Sequence, residues 1–346
     1  MKVGLVGFPG GGKTTVFNAL TGLRAPVRMG GEVRLGTVSV PDPRLDILAR
    51  AAGSKKTVRA EIAFCDIPGE YGGDRRVLSS RAHGRMREQE ALCLVLGGFH
   101  NPALSREADP IADFVAFEEE CMLADLDIVE RRLDRARKER ADRLEITTLG
   151  HAADHLESGS PLRIAPSDKV ARRWLRGLGL VTWRPLLALL NLEESAAGAA
   201  MPAALSKRIA GAGAGGIALS AALESEIAVL DADDQALFLA DLGLEEPALD
   251  RFIRAAYELL DLISFFTIAP REAHAWTVVR GTNARAAAGK VHSDMERGFI
   301  RAEVIPYKVY AEHGSERAVK EAGLLQVEGK DYVVRDGDVL HIRFNV

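Results

Sequence analysis

Eight consecutive residues near the amino terminus, Gly7-Phe8-Pro9-Gly10-Gly11-Gly12-Lys13-Thr14, place glycines, an amine and a hydroxyl at the spacing GxxxxGK[ST]. Glycines let a backbone wrap closely around a phosphate, while its N–H groups and a following helix amino terminus supply partial positive charge. Lys13 can then reach the β- and γ-phosphates, and the Thr14 hydroxyl can ligate Mg²⁺. Thr15 completes the set of loop residues assigned to the nucleotide. Further along, Asp66-Ile67-Pro68-Gly69 offers a carboxylate to hold Mg²⁺ through water and a Gly69 amide to meet the γ-phosphate. Lys13 and Gly69 are the candidate catalytic groups, because phosphoryl transfer is promoted chiefly by positioning and charge stabilisation. Asn191-Leu192-Glu193-Glu194 and Ser220-Ala221-Ala222 follow as candidate base-reading loops, with Asn191, Leu192, Glu194, Ser220, Ala221 and Ala222 as the contacts. Four such signals in this order specify a GTPase-type nucleotide domain.

The Asn-Lys-x-Asp motif that usually reads guanine accepts two hydrogen bonds on its Asp. Here Leu192 and Glu194 stand at the second and fourth positions; the longer carboxylate misplaces that fork, and no lysine stem covers the base. ATP is therefore favoured over GTP, with both retained as candidates.

These groups need a scaffold that brings strand ends together. The β-branched run at 2–6 predicts a strand, followed by the loop and a helix from 13 to about 20. Further strands are predicted at 59–65, 91–96, 185–190 and 216–219, the pattern of a mainly parallel, doubly wound α/β sheet whose ligand crevice lies at the strands' carboxyl ends. Between 114 and 178 the periodicity becomes helical: Leu123, Leu126, Val129 and Leu133 recur every three or four residues, and Asp134 can pair with Lys138. A break at Ser158-Gly159-Ser160-Pro161 and a fresh start near Ser167 predict an inserted helical hairpin. Its Arg131, Arg132, Arg135 and Arg137 fit a solvated helix face or an RNA or protein contact. A helix over 246–262 precedes a change of character at Phe265, after which short strands at 276–279, 300–304, 332–334 and 339–344 predict a separate small domain. The expected division is 1–113 and 179–264 for the nucleotide domain, 114–178 for the insert and 265–346 for the last domain.

Composition bounds this reading. At ~100–200 residues per domain, 346 residues suggest two or three domains. The 47% hydrophobic and 27% charged content is that of a soluble globular protein, and no apolar stretch of about 18 residues is present. The amino terminus lacks a signal-peptide pattern, so a cytoplasmic protein is expected. Three widely spaced cysteines form no disulfide or zinc framework, and a net charge of −4 excludes a globally basic nucleic-acid binder while leaving room for a local basic patch.

The Asn-x-x-Glu motif at 191–194, the insert reading Leu123-Ala124-Asp125-Leu126-Asp127, and the segment from Phe265-Phe266-Thr267 resemble the Obg-like ATPases of the YchF type. Ala275-Trp276-Thr277, Arg280-Gly281-Thr282, Ala287-Ala288-Gly289, His292-Ser293-Asp294, Gly298-Phe299-Ile300-Arg301-Ala302-Glu303 and Asp336-Gly337-Asp338 look like that family's TGS domain. The resemblance covers nearly the whole chain. It implies a P-loop nucleotide domain, a coiled-coil-like insert and a C-terminal β-grasp TGS module, with Mg²⁺-dependent ATP or GTP hydrolysis linked to ribosome, rRNA or tRNA. In the TGS segment, Arg280, Arg285, Lys290, Arg297 and Arg301 are the candidate RNA contacts, with acidic residues interspersed.

Departures cluster near the γ-phosphate. The family's Asn at the position of Gly10 is absent, which weakens the case for potassium activation. No threonine in 24–32 matches the family's Mg²⁺ ligand, and Thr37 falls in the following strand. Glu70 stands where many GTPases place a water-orienting Gln, and His100 is shifted from the position of the histidine in some relatives. Two classes remain open: a slow nucleotide-dependent switch that hydrolyses ATP or GTP, and a nucleotide-binding scaffold with little turnover. No acceptor or lid motif supports a kinase.

Overall fold

The computed structural model describes residues 2–23, 33–68, 78–104, 107–166 and 173–345. They belong to two compact units, Met1–Val38 with Ala63–Phe252, and Ser39–Ile62 with Ile253–Val346.

The first unit is organised by a six-stranded sheet in the order β2 (Arg34–Ser39), β4 (Glu61–Asp66), β1 (Lys2–Val6), β5 (Ala91–Gly98), β6 (Leu186–Leu192) and β7 (Gly215–Leu219). From β4 to β7 every neighbouring pair is parallel, so these strands end at one edge. The apolar runs of β1, β5 and β6 are buried on both faces, as interior parallel strands require. The chain leaves β1 between neighbours β4 and β5, which makes the crevice there the natural ligand position. The strand expected over 59–65 is divided: β3 (Thr57–Val58) belongs to the other sheet, and β4 begins only at Glu61. Helix α1 (Lys13–Thr21) buries Phe17 completely and stops at Gly22, whose left-handed backbone donates to Asn18 O at 2.9 Å. The short α3 (Ser80–Arg87) is capped by Ser79.

The insert consists of α4 (Pro110–Lys138) and α5 (Arg143–Glu157). Phe114, Phe117, Cys121, Asp125, Val129, Leu133 and Ala136 form a buried stripe at intervals of three and four along α4. The helix starts four residues before the expected 114 because Asp109 caps Ala112 N at 2.9 Å and Pro110 suits the first turn. Two buried acids join this arm to the rest of the unit. Asp125 accepts from Val181 N, Thr182 N and Thr182 Oγ1 at 3.0, 2.7 and 2.8 Å. Glu118 pairs with Arg163 at 2.6 Å, and Arg163 also donates to Ala212 O and Arg184 O. On the exposed face Asp134 pairs with Arg137 rather than with the expected Lys138. The helix start expected near Ser167 lies outside the described residues. After β6, α6 (Ala203–Gly211) leads to β7, and α7 (Ala221–Ile227) is capped by Ser220.

The second unit holds a mixed sheet in the order β11 (Gln326–Glu328), β10 (Phe299–Pro306), β12 (Asp338–Phe344), β8 (Leu262–Ile268), β9 (Ala273–Val279) and β3. Ala284 and Ala287 of helix Ala284–Val291 pack on Ile263, Phe265, Ala302, Val304 and Leu340, the helix-on-sheet packing of a β-grasp module. Arg44 of α2 (Pro43–Ala52) reaches Asp42 at 2.8 Å and Asp336 at 2.6 Å, over the Phe266 ring. Two expectations fail here. Residues 332–334 make only an isolated bridge from Val333 to Asn283, because Tyr332 O and Val334 N bond to Ala284 N and Thr282 O instead of to a strand ladder. The helix expected to reach 262 ends at Leu259, and Asp261 turns the chain with a φ of 51° so that Leu262 opens β8. No described helix is long and apolar enough to cross a membrane.

Candidate functional site

The phosphate loop follows β1 and is pressed against the ends of β5 and β6. At Gly7, with φ 133°, a Cβ would stand 2.6 Å from Val95 O; at Gly12, with φ 92°, it would stand 2.2 Å from Asn191 Nδ2. Both positions therefore exclude a side chain on space as well as backbone conformation. Pro9 is buried, Gly11 half-buried, and Thr15 occupies a half-buried place in the first turn of α1. Lys13 is buried, and its ammonium donates to Gly7 O and Phe8 O at 2.9 Å each, which places it inside the curve of the loop. Burial lowers its pKa to about 8, opposed by the charge of Asp66.

Asp66 closes β4 in register with Leu5 of β1. Its Oδ2 accepts from Thr14 Oγ1 at 3.0 Å and lies 3.6 Å from Arg34 Nη1. Its Oδ1 is buried without a hydrogen-bond partner among the described residues. Burial pushes the carboxyl above its ordinary range, against the Thr14 hydrogen bond and the charges of Lys13 and Arg34. A hydroxyl and a carboxylate with one oxygen uncommitted are hard oxygen donors that fit Mg²⁺, which takes few protein ligands and keeps several waters.

On the opposite side, Asn191 spans two loops: Nδ2 donates to Gly11 O at 3.2 Å, and Oδ1 accepts from Ala221 N at 3.0 Å. Buried Ser220 precedes this amide, and Ala222 is exposed beyond it. Leu192 is half-buried against the core of the sheet, Glu193 accepts from His100 N at 3.0 Å, and Glu194 is exposed at the start of a 3-10 turn.

Gly69, Glu70 and the stretch 24–32 lie outside the described residues. Thr37 is exposed, whereas its strand neighbours Gly36 and Val38 are buried, so alternation turns its hydroxyl away from α1 and the loop. His100 is a surface residue beside Glu107. Two residues were not singled out from sequence. Asn101 donates from Nδ2 to Gly10 O at 3.1 Å, and a Cβ on Gly10 would meet Leu104 Cδ1 at 2.6 Å. A small cavity at this point is lined by Phe8, Gly10, Asn101, Leu104, Glu107 and Asp113. Arg34 is the other; both act through contacts far apart in sequence, for which a local motif gives no signal.

Most of the basic residues considered for RNA contact have acidic or backbone partners nearby. Arg280 pairs with Asp261, Arg297 with Asp294 and Arg301 with Glu303, while Arg285 donates to Glu296 O. In the insert, Arg131 pairs with Asp127 and Arg132 with Glu145. Glu303, Glu316 and His341 converge closely enough to hold a metal, but Arg343 and Lys320 already pair with the two carboxylates.

The comparisons with known proteins are consistent along the whole chain. A family model described as YchF-GTPase_C, a protein of unknown function (DUF933), matches residues 262–345. The ribosome-binding ATPase YchF of Haemophilus influenzae is 37% identical over 362 residues, covering 100% of this chain and 99% of that protein. The ribosome-binding ATPase YchF of Bacillus subtilis is 36% identical over 364 residues, covering all of both. The solved structure of the Schizosaccharomyces pombe YchF GTPase matches with a TM-score of 0.87 and 27% identity, over 99% of this chain and 97% of that one.

Proposed function

The chain belongs to the YchF family, and from that premise we propose that it is a Mg²⁺-dependent nucleotide-binding protein and slow ATPase whose nucleotide state governs association with the ribosome. The observation that carries this reading is the conjunction of Thr14 and Asp66 at 3.0 Å beside a loop that encloses the Lys13 ammonium. Thr14 and Asp66 would hold Mg²⁺, which neutralises developing phosphate charge when bound. Lys13 positions the β- and γ-phosphates and stabilises their charge, and the amides of Gly10 to Lys13 with the start of α1 cradle the β-phosphate. Gly69, next to the described Pro68, is assigned to the γ-phosphate by the same reading.

The names of the relatives divide between ATPase and GTPase. Leu192 and Glu194 favour adenine here. Asn191 is engaged with Gly11 and Ala221, so it fixes the two loops that flank the base and leaves selection to their neighbours. Calorimetric titration with ATP and GTP at fixed Mg²⁺ tests the assignment; GTP binding ~10-fold tighter, a gap of about 1.4 kcal/mol, would overturn it. Phosphate release compared with a Lys13→Ala control tests turnover. The ribosome assignment rests on the bacterial relatives, which are named ribosome-binding ATPases. Cosedimentation with ribosomes should differ between the ATP- and ADP-loaded chain, and equal retention would remove the switch from the proposal.

A second reading, a nucleotide-binding scaffold with little hydrolysis, is favoured by Thr37, whose exposed side chain is turned away from the metal position. Turnover indistinguishable from the Lys13→Ala control would select it.

A further inference from the structure

We propose that Arg34 is a built-in cationic contact for the terminal phosphate of a bound triphosphate, through which this chain distinguishes ATP from ADP. The inference rests on the nucleotide reading above and assigns a role to a side chain outside the phosphate loop.

Placement comes first. Arg34 opens β2, and alternation along a strand puts it on the same face as Gly36 and Val38. That face meets α1 closely: a Cβ on Gly36 would stand 2.3 Å from Thr21 Cγ2 and 3.1 Å from Phe17 Cζ. Gly36 thus lies beside the carboxyl-terminal half of α1. Two residues back along β2, a distance of about 6–7 Å, Arg34 reaches Asp66, whose Oδ2 also accepts from Thr14 at the amino-terminal end of α1. The strand therefore carries the guanidinium toward the end of α1 where the phosphate loop finishes.

Chemistry narrows the ligand. At 3.6 Å from Asp66 Oδ2, Arg34 is within ion-pair range and beyond good hydrogen-bonding distance. Its planar fork of N–H donors matches the oxygens of a phosphate. The α- and β-phosphates of a nucleotide belong to the loop amides and the start of α1; the terminal phosphate is the group that extends toward Thr14 and Asp66. A carboxylate on that side repels the phosphate. Arg34 offsets that repulsion and adds donors of its own, an effect that a diphosphate does not experience.

The test compares a non-hydrolysable ATP analogue with ADP by calorimetry on the full chain at fixed Mg²⁺, for the wild type, Arg34→Ala and Arg34→Lys. Arg34→Ala should weaken the triphosphate analogue by ~10-fold while ADP affinity stays within about twofold. Arg34→Lys, which keeps the charge but loses the fork, should fall between. Equal weakening of both nucleotides would reduce Arg34 to a support for Asp66, and no change in either would make it a solvated side chain; both outcomes overturn the proposal. A wild-type chain that binds neither nucleotide would instead defeat the nucleotide reading. Thermal unfolding of each variant accompanies the titrations, and a folded Arg34→Lys variant keeps the comparison decisive where Arg34→Ala is unstable.

Discussion

On its β6 side the phosphate loop is tied into the protein by side-chain amides: Asn191 links Gly11 O to Ala221 N, and Asn101 holds Gly10 O. On its β4 side the bonding among the described residues is sparser. Thr14 meets one oxygen of Asp66, the other oxygen is buried without a partner among the described residues, and Arg34 stands just beyond hydrogen-bonding distance. The first wall is satisfied by the protein itself, as buried polar groups ordinarily are. Among the described residues the second leaves hydrogen-bonding capacity unused, which is what a metal and a terminal phosphate would consume. The contrast separates a preorganised cradle from a wall completed by its ligand.

Lys13→Ala tests both walls at once and should have the largest effect, weakening ATP by ~100-fold or more through loss of charge-assisted contacts. Affinity within fivefold of the wild type, measured by calorimetry, would detach the cradle from nucleotide binding. Asp66→Asn addresses the β4 wall. It should lower the Mg²⁺-dependent gain in ATP affinity by ~30-fold, while binding measured in excess chelator changes little. An equal loss with and without Mg²⁺ would show that Asp66 acts on the fold rather than on the metal. Asn191→Ala addresses the other wall and should cost about 2 kcal/mol of stability, since the half-buried Gly11 O and the buried Ala221 N lose their partner together. It should weaken ATP and ADP alike, by ~10-fold. A selective loss of ATP would reverse the assignment of the two walls. Asn101→Ala should be mildest, ~3-fold on either nucleotide, and an undetectable effect would confine the cradle to Asn191.

What the sequence revealed and what it concealed follow from the range of each interaction. The loop at 7–14 was legible because its chemistry is local, and Asp66, Asn191 and Ser220 because each follows an apolar run that must end at the same sheet edge. Asn101 and Arg34 were not, since one acts on Gly10 and the other on Asp66 only after the sheet assembles. The start of β8 was hidden for a different reason. Leu259-Leu260-Asp261-Leu262 continues the apolar pattern of a helix, and only the left-handed backbone of Asp261 breaks it. The short run at 332–334 reads as a strand, but Tyr332 and Val334 are committed to Ala284 and Thr282, where a helix begins.

The helix α4 starts beside the nucleotide loop, where Glu107 and Asp113 share a cavity lining with Gly10, and continues unbroken for 29 residues. At 1.5 Å per residue its far end lies about 43 Å away. Glu118 and Asp125 hold its first half in the unit, so the lever is residues 126–138, about 20 Å at the same rise, and a tilt of about 5° there carries the tip through roughly 2 Å. That travel is under half the pitch of a helical turn, so the two buried acids that seat the helix also limit how far its tip can follow a change at the loop.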